Sequence, residues 1–243
     1  MRRIALYLHG SSIDTSSLAF AIRFADKLTA RLSVIHLKRA NEGASTDFRE
    51  MCRGLPLVSY SETERDSVDV ITENGFVHDM TIVERLTEQE GSQVMDFNTA
   101  VFGTGGPVMI TPPKTAATVG DTVALVWGAS IPSARAIHSA IPLLRVAKRN
   151  VILSSEANPN ADPSALARYL DCYGIKCDAM TFKTSSLTAR GRGRALLETV
   201  RNLGADLLVM GAYGENKITT MLGLGRTTEK VITSCNIPLL VQA

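Results

Sequence analysis

The chain has 243 residues, of which 45% are hydrophobic and 21% are charged, a composition typical of a globular protein that buries a core. Its formal net charge of +2, from 26 basic and 24 acidic residues, does not favour nucleic acid as a partner. No apolar run approaches the ~20 residues that span a bilayer, so we expect no membrane partner. The start, MRRIALYLHG, does not resemble a secretory signal, and the 4 cysteines are sparse, which together predict a cytoplasmic protein.

Short apolar runs alternate with helical patterns through the first half of the chain. The runs are continuous rather than alternating with polar residues, which is typical of strands covered by helices on both faces. The pattern predicts strands at 4–8, 31–37, 57–62, 78–83 and 107–111, and helices at 14–28, 65–75 and 94–102.

The same order of patterns recurs after the segment PPKTAATVGD, which is rich in proline and small polar residues and is the predicted linker. Strands are predicted at 123–127, 150–154, 176–182, 205–210 and 238–242, and helices at 136–147, 193–204 and 229–234. Strands that alternate with helices pair in parallel through right-handed crossovers. We therefore predict two tandem α/β domains, 1–114 and 121–243, each with a doubly wound, mainly parallel sheet of about five strands.

Several of these segments resemble the universal stress proteins of the UspA type. In the second half they are VALVWGASIPSARAIHSAIPLLRVAKRNVIL, ADLLVMGAYG and CNIPLLV, and in the first half HGSS, HDMTIV and FGTGGPVMIT. The chain as a whole resembles a tandem member with two such domains. The resemblance implies a Rossmann-like fold of the adenine nucleotide alpha hydrolase type, present twice as a pseudo-dimer. It also implies a role in stress response and an adenine-nucleotide site at the carboxyl ends of the strands.

The glycine-containing segment GAYGENKITTMLGLGRTTEK is the candidate phosphate loop. Nucleotide-binding members of the family carry two glycines separated by two residues, then nine residues, a third glycine and Ser or Thr. Here ten residues separate the second and third glycines, and an arginine follows. The resemblance assigns phosphate contacts to Gly211, Gly214, Gly225, Arg226 and Thr227.

The altered spacing leaves two interpretations open. One extra residue shifts the helix start by about 1.5 Å, which could misplace the hydroxyl while leaving the backbone N–H groups usable. Arg226 could clasp a phosphate or fill the pocket. Alternatively, Gly211 and Gly214 form only a strand-to-helix turn that came with the fold.

The family layout places Ala129, Ser130, Leu153 and Ser154 near the base and ribose. Binding members carry an acidic residue in the first strand-to-helix turn, whereas this chain has Gly128 in the second half and His9 in the first. The first half also lacks paired glycines after its fourth strand, so we expect no phosphate loop there. We expect the serines of both turns to cap helices.

Three functions are compatible with these residues. The first is a stress-response protein that acts by binding ATP, ADP or AMP in its C-terminal half, without turning the nucleotide over. The need for Mg²⁺ is left open. The second is a scaffold without nucleotide, whose halves pair through their last strands, 107–111 and 238–242. The third, a weak ATPase, lacks an evident general base. The sequence predicts no resident metal, leaves homo-oligomerisation open, and suggests a solvated loop for TARGRGR at 188–194.

Overall fold

The structure, a computed structural model, describes residues 1–10, 14–38, 46–85, 91–114, 118–183, 188–212 and 226–243. The chain divides into two compact units, Met1–Thr115 and Ala116–Ala243. Among the described residues each unit contains five strands and four helices. In both units every described strand pair is parallel.

The first unit places its earliest strand at the centre of its sheet. Its order is β3-β2-β1-β4-β5, and β1 is flanked by β2 and β4. The elements are β1 (Arg3–Leu8), α1 (Asp14–Lys27), β2 (Arg31–Leu37), α2 (Thr46–Cys52), β3 (Val58–Thr63), α3 (Ser67–Gly75), β4 (Met80–Glu84), α4 (Gly91–Gly103) and β5 (Val108–Thr111).

The second unit repeats this order as β8-β7-β6-β9-β10, with β6 at the centre. The elements are β6 (Thr122–Trp127), α5 (Ile131–Leu144), β7 (Arg149–Ser155), α6 (Pro163–Asp171), β8 (Asp178–Phe182), α7 (Ala189–Asn202), β9 (Leu207–Gly211), α8 (Arg226–Ser234) and β10 (Leu239–Gln242).

The central strands explain why the apolar runs are continuous. Residues 4–8 of β1 and 123–125 of β6 are fully buried, since helices cover both faces of each strand. The edge strand β8 differs, because four of its five residues are exposed. The predicted α/β class with parallel strands is confirmed, while pairing of the halves as a pseudo-dimer stays a prediction.

The sequence analysis missed two short helices, α2 and α6. They have seven and nine residues, and each lies between two strands where the sequence analysis predicted no helix. For α6 a local signal existed: Asp162 accepts the N–H of Ser164, and Pro163 occupies the first position, where its missing N–H costs nothing.

TARGRGR is not a loop from end to end, which corrects the expectation for this segment. Thr188 caps α7 by accepting the N–H of Gly191, so the arginines at 190, 192 and 194 belong to the first turns of the helix. Gly193 allows α7 to approach α8, because a Cβ there would lie 3.2 Å from Cγ of Lys230.

Candidate functional site

The carboxyl ends of β6 and β9 form the topological switch point of the second unit. These strands are neighbours, and the chain leaves β6 toward β7 on one side and β9 toward β10 on the other. In open α/β sheets ligands bind in the crevice outside such a point. The candidate site therefore comprises the turn after β6, the end of β9 and the start of α8.

The turn after β6 is held by its own side chains. Ala129 has a positive φ of 49°, and Ser130 is the N-cap of α5. The N–H of Ser133 donates to Oγ of Ser130 at 3.4 Å, and the N–H of Ser130 donates to Oγ of Ser133 at 3.0 Å. This reciprocal capping box confirms that Ser130 caps a helix.

The first turn of α5 has few donors left for an anion. Pro132 has no N–H, and the N–H of Ala134 donates to the carbonyl of Ser130 at 2.9 Å. With the N–H of Ser133 used by the cap, local groups satisfy most of the donors that a helix start exposes. Phosphate binding at this edge would therefore need the other helix start, that of α8.

Gly211 is required by packing, whether or not a ligand binds. A Cβ at this position would lie 2.5 Å from the backbone nitrogen of Ser133 and 2.6 Å from the carbonyl carbon of Pro132. Such distances are too short for any side chain, so glycine is what lets the end of β9 contact the first turn of α5. The close approach accounts for this glycine through helix–strand packing.

The rest of the glycine-containing loop lies largely outside the described residues. Gly214 and Gly225 fall within 213–225, and α8 begins at Arg226, whose side chain is also outside the description. Thr227 is half-buried in the first turn of α8, and Thr228 is buried. Helix starts of this kind expose backbone N–H groups that attract anions.

Leu153 and Ser154 lie inside β7, and both are buried. Each has register partners in the strands on both sides, so their backbone groups face neighbouring strands. The side chains of these two residues therefore do not line an open crevice. A nucleotide base at this end of β7 would meet the residues that follow the strand.

Two hydrogen bonds tie the segment after β7 to the end of β6. The side-chain amide of Asn158 donates to the carbonyl of Gly128 at 3.1 Å, and Nε1 of Trp127 donates to the carbonyl of Asp162 at 3.1 Å. They fix one wall of the candidate site. The sequence analysis did not find Asn158, because an asparagine in a polar loop carries no signal of its partner.

The corresponding edge of the first unit is built on carboxylates. Oδ2 of Asp14, a fully buried residue, accepts the N–H groups of His9 and Gly10 at 3.0 and 2.7 Å. Nδ1 of His9 lies 3.6 Å from Oδ2 of Asp96, whose other oxygen accepts the hydroxyl of Ser67 at 2.5 Å. The N–H groups of His9 and Gly10 are thus occupied by the protein's own carboxylate.

The sequence analysis missed both carboxylates of this edge. It searched for an acidic residue in the turn itself, where His9 stands. Asp14 reaches the turn from the first residue of α1, and Asp96 reaches it from α4. A carboxylate at a helix start that accepts backbone N–H groups nearby is a common arrangement, and the spacing from His9 to Asp14 was the available signal.

The described ranges contain no group of three or more His, Cys, Asp or Glu residues that could hold a metal ion. Over the same ranges, no helix has both the length and the apolar character to cross a membrane.

Comparison with known proteins places a family domain over the candidate loop. Residues 180–242 match the model of the Universal stress protein family, a segment that runs from β8 to β10. No curated protein matches the chain.

Two solved structures share the fold over nearly the full chain. A universal stress protein from Archaeoglobus fulgidus DSM 4304 has a TM-score of 0.73 at 15% identity, covering 99% of this chain and 97% of its own. A functionally unknown protein from Pseudomonas aeruginosa PAO1 has a TM-score of 0.67 at 15% identity, covering 100% and 92%. The chain thus has the α/β fold of these structures, and its residues 180–242 are similar to the Universal stress protein family.

Proposed function

We propose that this protein acts in a stress response by binding an adenine nucleotide, ATP, ADP or AMP, in its C-terminal unit, without turnover. One observation carries the proposal: the family domain at 180–242 spans β9, the glycine-containing loop and the start of α8, beside the switch point of β6 and β9. The triphosphate would lie against the N–H groups of the first turn of α8, where the helix dipole favours negative charge.

The phosphate-contacting residues in this proposal are Gly214, Gly225, Arg226 and Thr227, with Gly211 supporting them through packing against α5. Near the base and ribose the proposal uses Ala129, Ser130 and the chain that follows Leu153 and Ser154. Gly128 offers no carboxylate to a nucleotide-bound Mg²⁺, so we expect weak binding that depends little on magnesium.

A second candidate, a scaffold that binds no nucleotide, is favoured by a different observation. Packing alone accounts for Gly211, and capping accounts for Ser130, so these two residues would be retained without any ligand. In this candidate the halves pair through β5 and β10, each of which lies at an edge of the sheet of its own unit. For either candidate we also propose a cytoplasmic location, and homo-oligomers of whole chains stay open.

Isothermal titration with ATP, ADP and AMP, each with and without Mg²⁺, tests the nucleotide proposal. Binding by the natural protein that is lost in Gly214→Val supports it. Gly106→Val, in the first unit, serves as the matched control, because a Cβ there meets only backbone oxygens, at 3.8 and 4.0 Å. If none of the three nucleotides binds at millimolar concentration, the scaffold becomes the better account.

A gain-of-function variant sharpens the same test. Gly128→Asp places a carboxylate at the turn position where binding members of the family have an acidic residue, and the position has room for it. We expect this variant to bind ATP more tightly in Mg²⁺ than without it. Equal affinities in the two buffers would mean that the turn after β6 does not face the nucleotide.

Backbone hydrogen exchange in the full chain tests the proposed pairing of β5 with β10. Slow exchange of N–H groups along both strands is expected. Exchange at the rate of an open sheet edge in either strand would contradict the pairing.

A further inference from the structure

A cavity of about 950 Å³ lies in the first unit, at the amino ends of its strands. Its walls come from the amino ends of β1 and β2, the chain that leads into β3, and the segment that follows α1. A volume of this size is in the range of small-molecule sites, about 300–1,000 Å³. Nothing in the nucleotide proposal uses this edge.

Three exposed arginines line the cavity. Arg3 and Arg31 are register partners on neighbouring parallel strands, and the N–H of Arg31 donates to the carbonyl of Arg2 at 2.8 Å. Two like charges on directly paired strand positions repel each other and destabilise the sheet. An anion bound beside both residues would relieve this repulsion.

The nearby carboxylate does not offset this charge through side-chain pairing. Oδ2 of Asp79 accepts the backbone N–H groups of Arg2 and Arg3 at 2.5 and 2.9 Å. Within the described part of the chain, none of the three guanidinium groups forms an ion pair with a carboxylate. The positive charge of Arg3 also reaches His78, whose pKa is lowered mainly by burial and further by this arginine.

Hydroxyl groups complete the lining. Thr29, Ser33 and Ser59 border the cavity, and Ser33 and Ser59 are register partners on β2 and β3. Oγ of Ser33 lies 3.0 Å from Nε2 of His78. The arginines suit phosphate oxygens, because arginine forks bind phosphate in a bidentate way. Among the hydroxyls, that of Thr29 can donate a further hydrogen bond to a ligand, whereas that of Ser59 donates to the carbonyl of Leu32 at 3.4 Å.

We propose that this cavity binds an anion with two or more linked phosphate groups. A single carboxylate or monophosphate could engage one arginine well, whereas the register pair Arg3 and Arg31 at one cavity calls for two or more negative charges close together. The linked phosphates could be free, as in pyrophosphate or tripolyphosphate, or esterified, as in ADP. The site is independent of the one proposed in the C-terminal unit.

Isothermal titration of the full chain tests the proposal, with pyrophosphate, tripolyphosphate, ADP, AMP and citrate as probes. We expect pyrophosphate and tripolyphosphate to bind more tightly than AMP or citrate. ADP is titrated into the Gly214→Val variant, so that the proposed nucleotide site contributes nothing. ADP binding equal to that of pyrophosphate identifies the phosphates alone as the ligand, and tighter ADP binding identifies an ester.

The triple variant Arg2→Gln/Arg3→Gln/Arg31→Gln should weaken pyrophosphate binding by about tenfold or more, because it removes the charge-assisted hydrogen bonds that guanidinium groups make with phosphate. Its matched control is Arg53→Gln/Arg65→Gln/Arg201→Gln, which removes the same charge from exposed positions outside the cavity. The control should retain the affinity. An equal loss in both triple variants would overturn the proposal in favour of general charge attraction.

Two measurements avoid any folding defect of the triple variant. In the unaltered protein, pyrophosphate should shift the amide resonances of residues 29–33 and 57–59 in NMR spectra. Arg31→Gln alone should stabilise the protein in phosphate-free buffer, because it removes the repulsion with Arg3, and should respond less to pyrophosphate. Amide shifts at the carboxyl ends of the strands instead, no pyrophosphate binding at millimolar concentration, or binding of a single-stranded oligonucleotide without pyrophosphate binding would each overturn the proposal.

Discussion

The two units begin their central strands in the same way and end them differently. Asp79 accepts the backbone N–H groups of residues 2–3 at 2.5 and 2.9 Å, and Asp206 accepts those of residues 121–122 at 3.1 and 2.8 Å. Each aspartate immediately precedes the fourth strand of its unit. In each unit, therefore, an aspartate binds the backbone N–H groups at the start of the central strand.

The carboxyl ends of β1 and β6 have the same backbone shape with different supports. Gly10 and Ala129 both have positive φ, 77° and 49°. In the first unit the carboxylate of Asp14 accepts N–H groups of the turn. In the second unit the hydroxyls of Ser130 and Ser133 do so instead.

The two halves share residues at the amino ends of their central strands and differ in residues at the carboxyl ends. The hydrogen bonds of Asp79 and Asp206 hold the start of a central strand, and both units use the same residue type for this. The turns at the carboxyl edge border the ligand crevice of such folds, and there the residues differ while the backbone path persists. The predictions below test this contrast between a carboxylate-held turn and a serine-held turn.

The largest effect is expected from Asp14→Ala. This change leaves the partly buried N–H groups of His9 and Gly10 without the carboxylate of the fully buried Asp14 and should reduce the free energy of unfolding by about 2–4 kcal/mol. Urea denaturation followed by circular dichroism measures it. Asp26→Ala, at an exposed position on the same helix, is the control and should lie within about 0.5 kcal/mol of the natural protein. A similar small change for Asp14→Ala would show that the carboxylate does not hold the turn.

Gly211→Ala should destabilise the second unit by about 1–3 kcal/mol, because the added Cβ collides with the first turn of α5 and overpacks the contact. The matched change Gly128→Ala introduces a Cβ into open space and should have little effect. Denaturation of both variants gives the comparison. Equal stabilities would mean that β9 and α5 do not pack as closely as described.

Exchanging the residues with positive φ should produce effects of opposite sign in the two units. Gly10→Ala should lower the free energy of unfolding by about 1 kcal/mol, because a Cβ is strained in the left-handed region. Ala129→Gly should raise it by roughly 0.5 kcal/mol, since relief of that strain exceeds the added freedom of the unfolded chain. Destabilisation by both changes, measured as above, would show that Ala129 is not strained.

The smallest effect is a pH dependence that belongs to the first unit alone. Burial lowers the pKa of His78 below its ordinary value of 6.5, although its hydrogen bond with the carbonyl of Asn74 opposes the shift. The unfolded chain therefore binds a proton more readily, so this stabilisation is present above about pH 6.5 and is lost as the pH falls.

Denaturation between pH 8 and pH 5 tests this dependence. His78→Asn should reduce the loss of stability on acidification, and His138→Asn, at an exposed position in the second unit, should not. Ala205 occupies the place of His78 in the second half, which is why no counterpart is expected there. Identical pH profiles for both variants would contradict the assignment to His78.

The fold was largely predictable because its signals are local and repeated. Apolar runs such as residues 4–8 and 123–127 marked buried parallel strands, and their recurrence in the same order indicated two similar halves. The helices α2 and α6 were missed, although α6 begins with the capping pair Asp162 and Pro163.

The candidate site was less predictable because its contacts join residues far apart in sequence. Nothing local reveals that Gly211 contacts the start of α5, or that Asp96 lies beside His9 across 87 residues of chain. The cavity beside Arg3 and Arg31 was invisible for the same reason, since it depends on the register of two strands. A resemblance supplied the positions of the loop residues, and their role stays a prediction.

The hydrogen bond from the indole of Trp127 to Asp162 has a practical consequence. This side chain is the only tryptophan among 243 residues, and it lies where β6 ends. Its fluorescence emission therefore reports on the second unit alone, beside the proposed nucleotide site, while far-ultraviolet dichroism reports on both units. A difference between the two optical transitions would separate the unfolding of the two halves without labelling the protein.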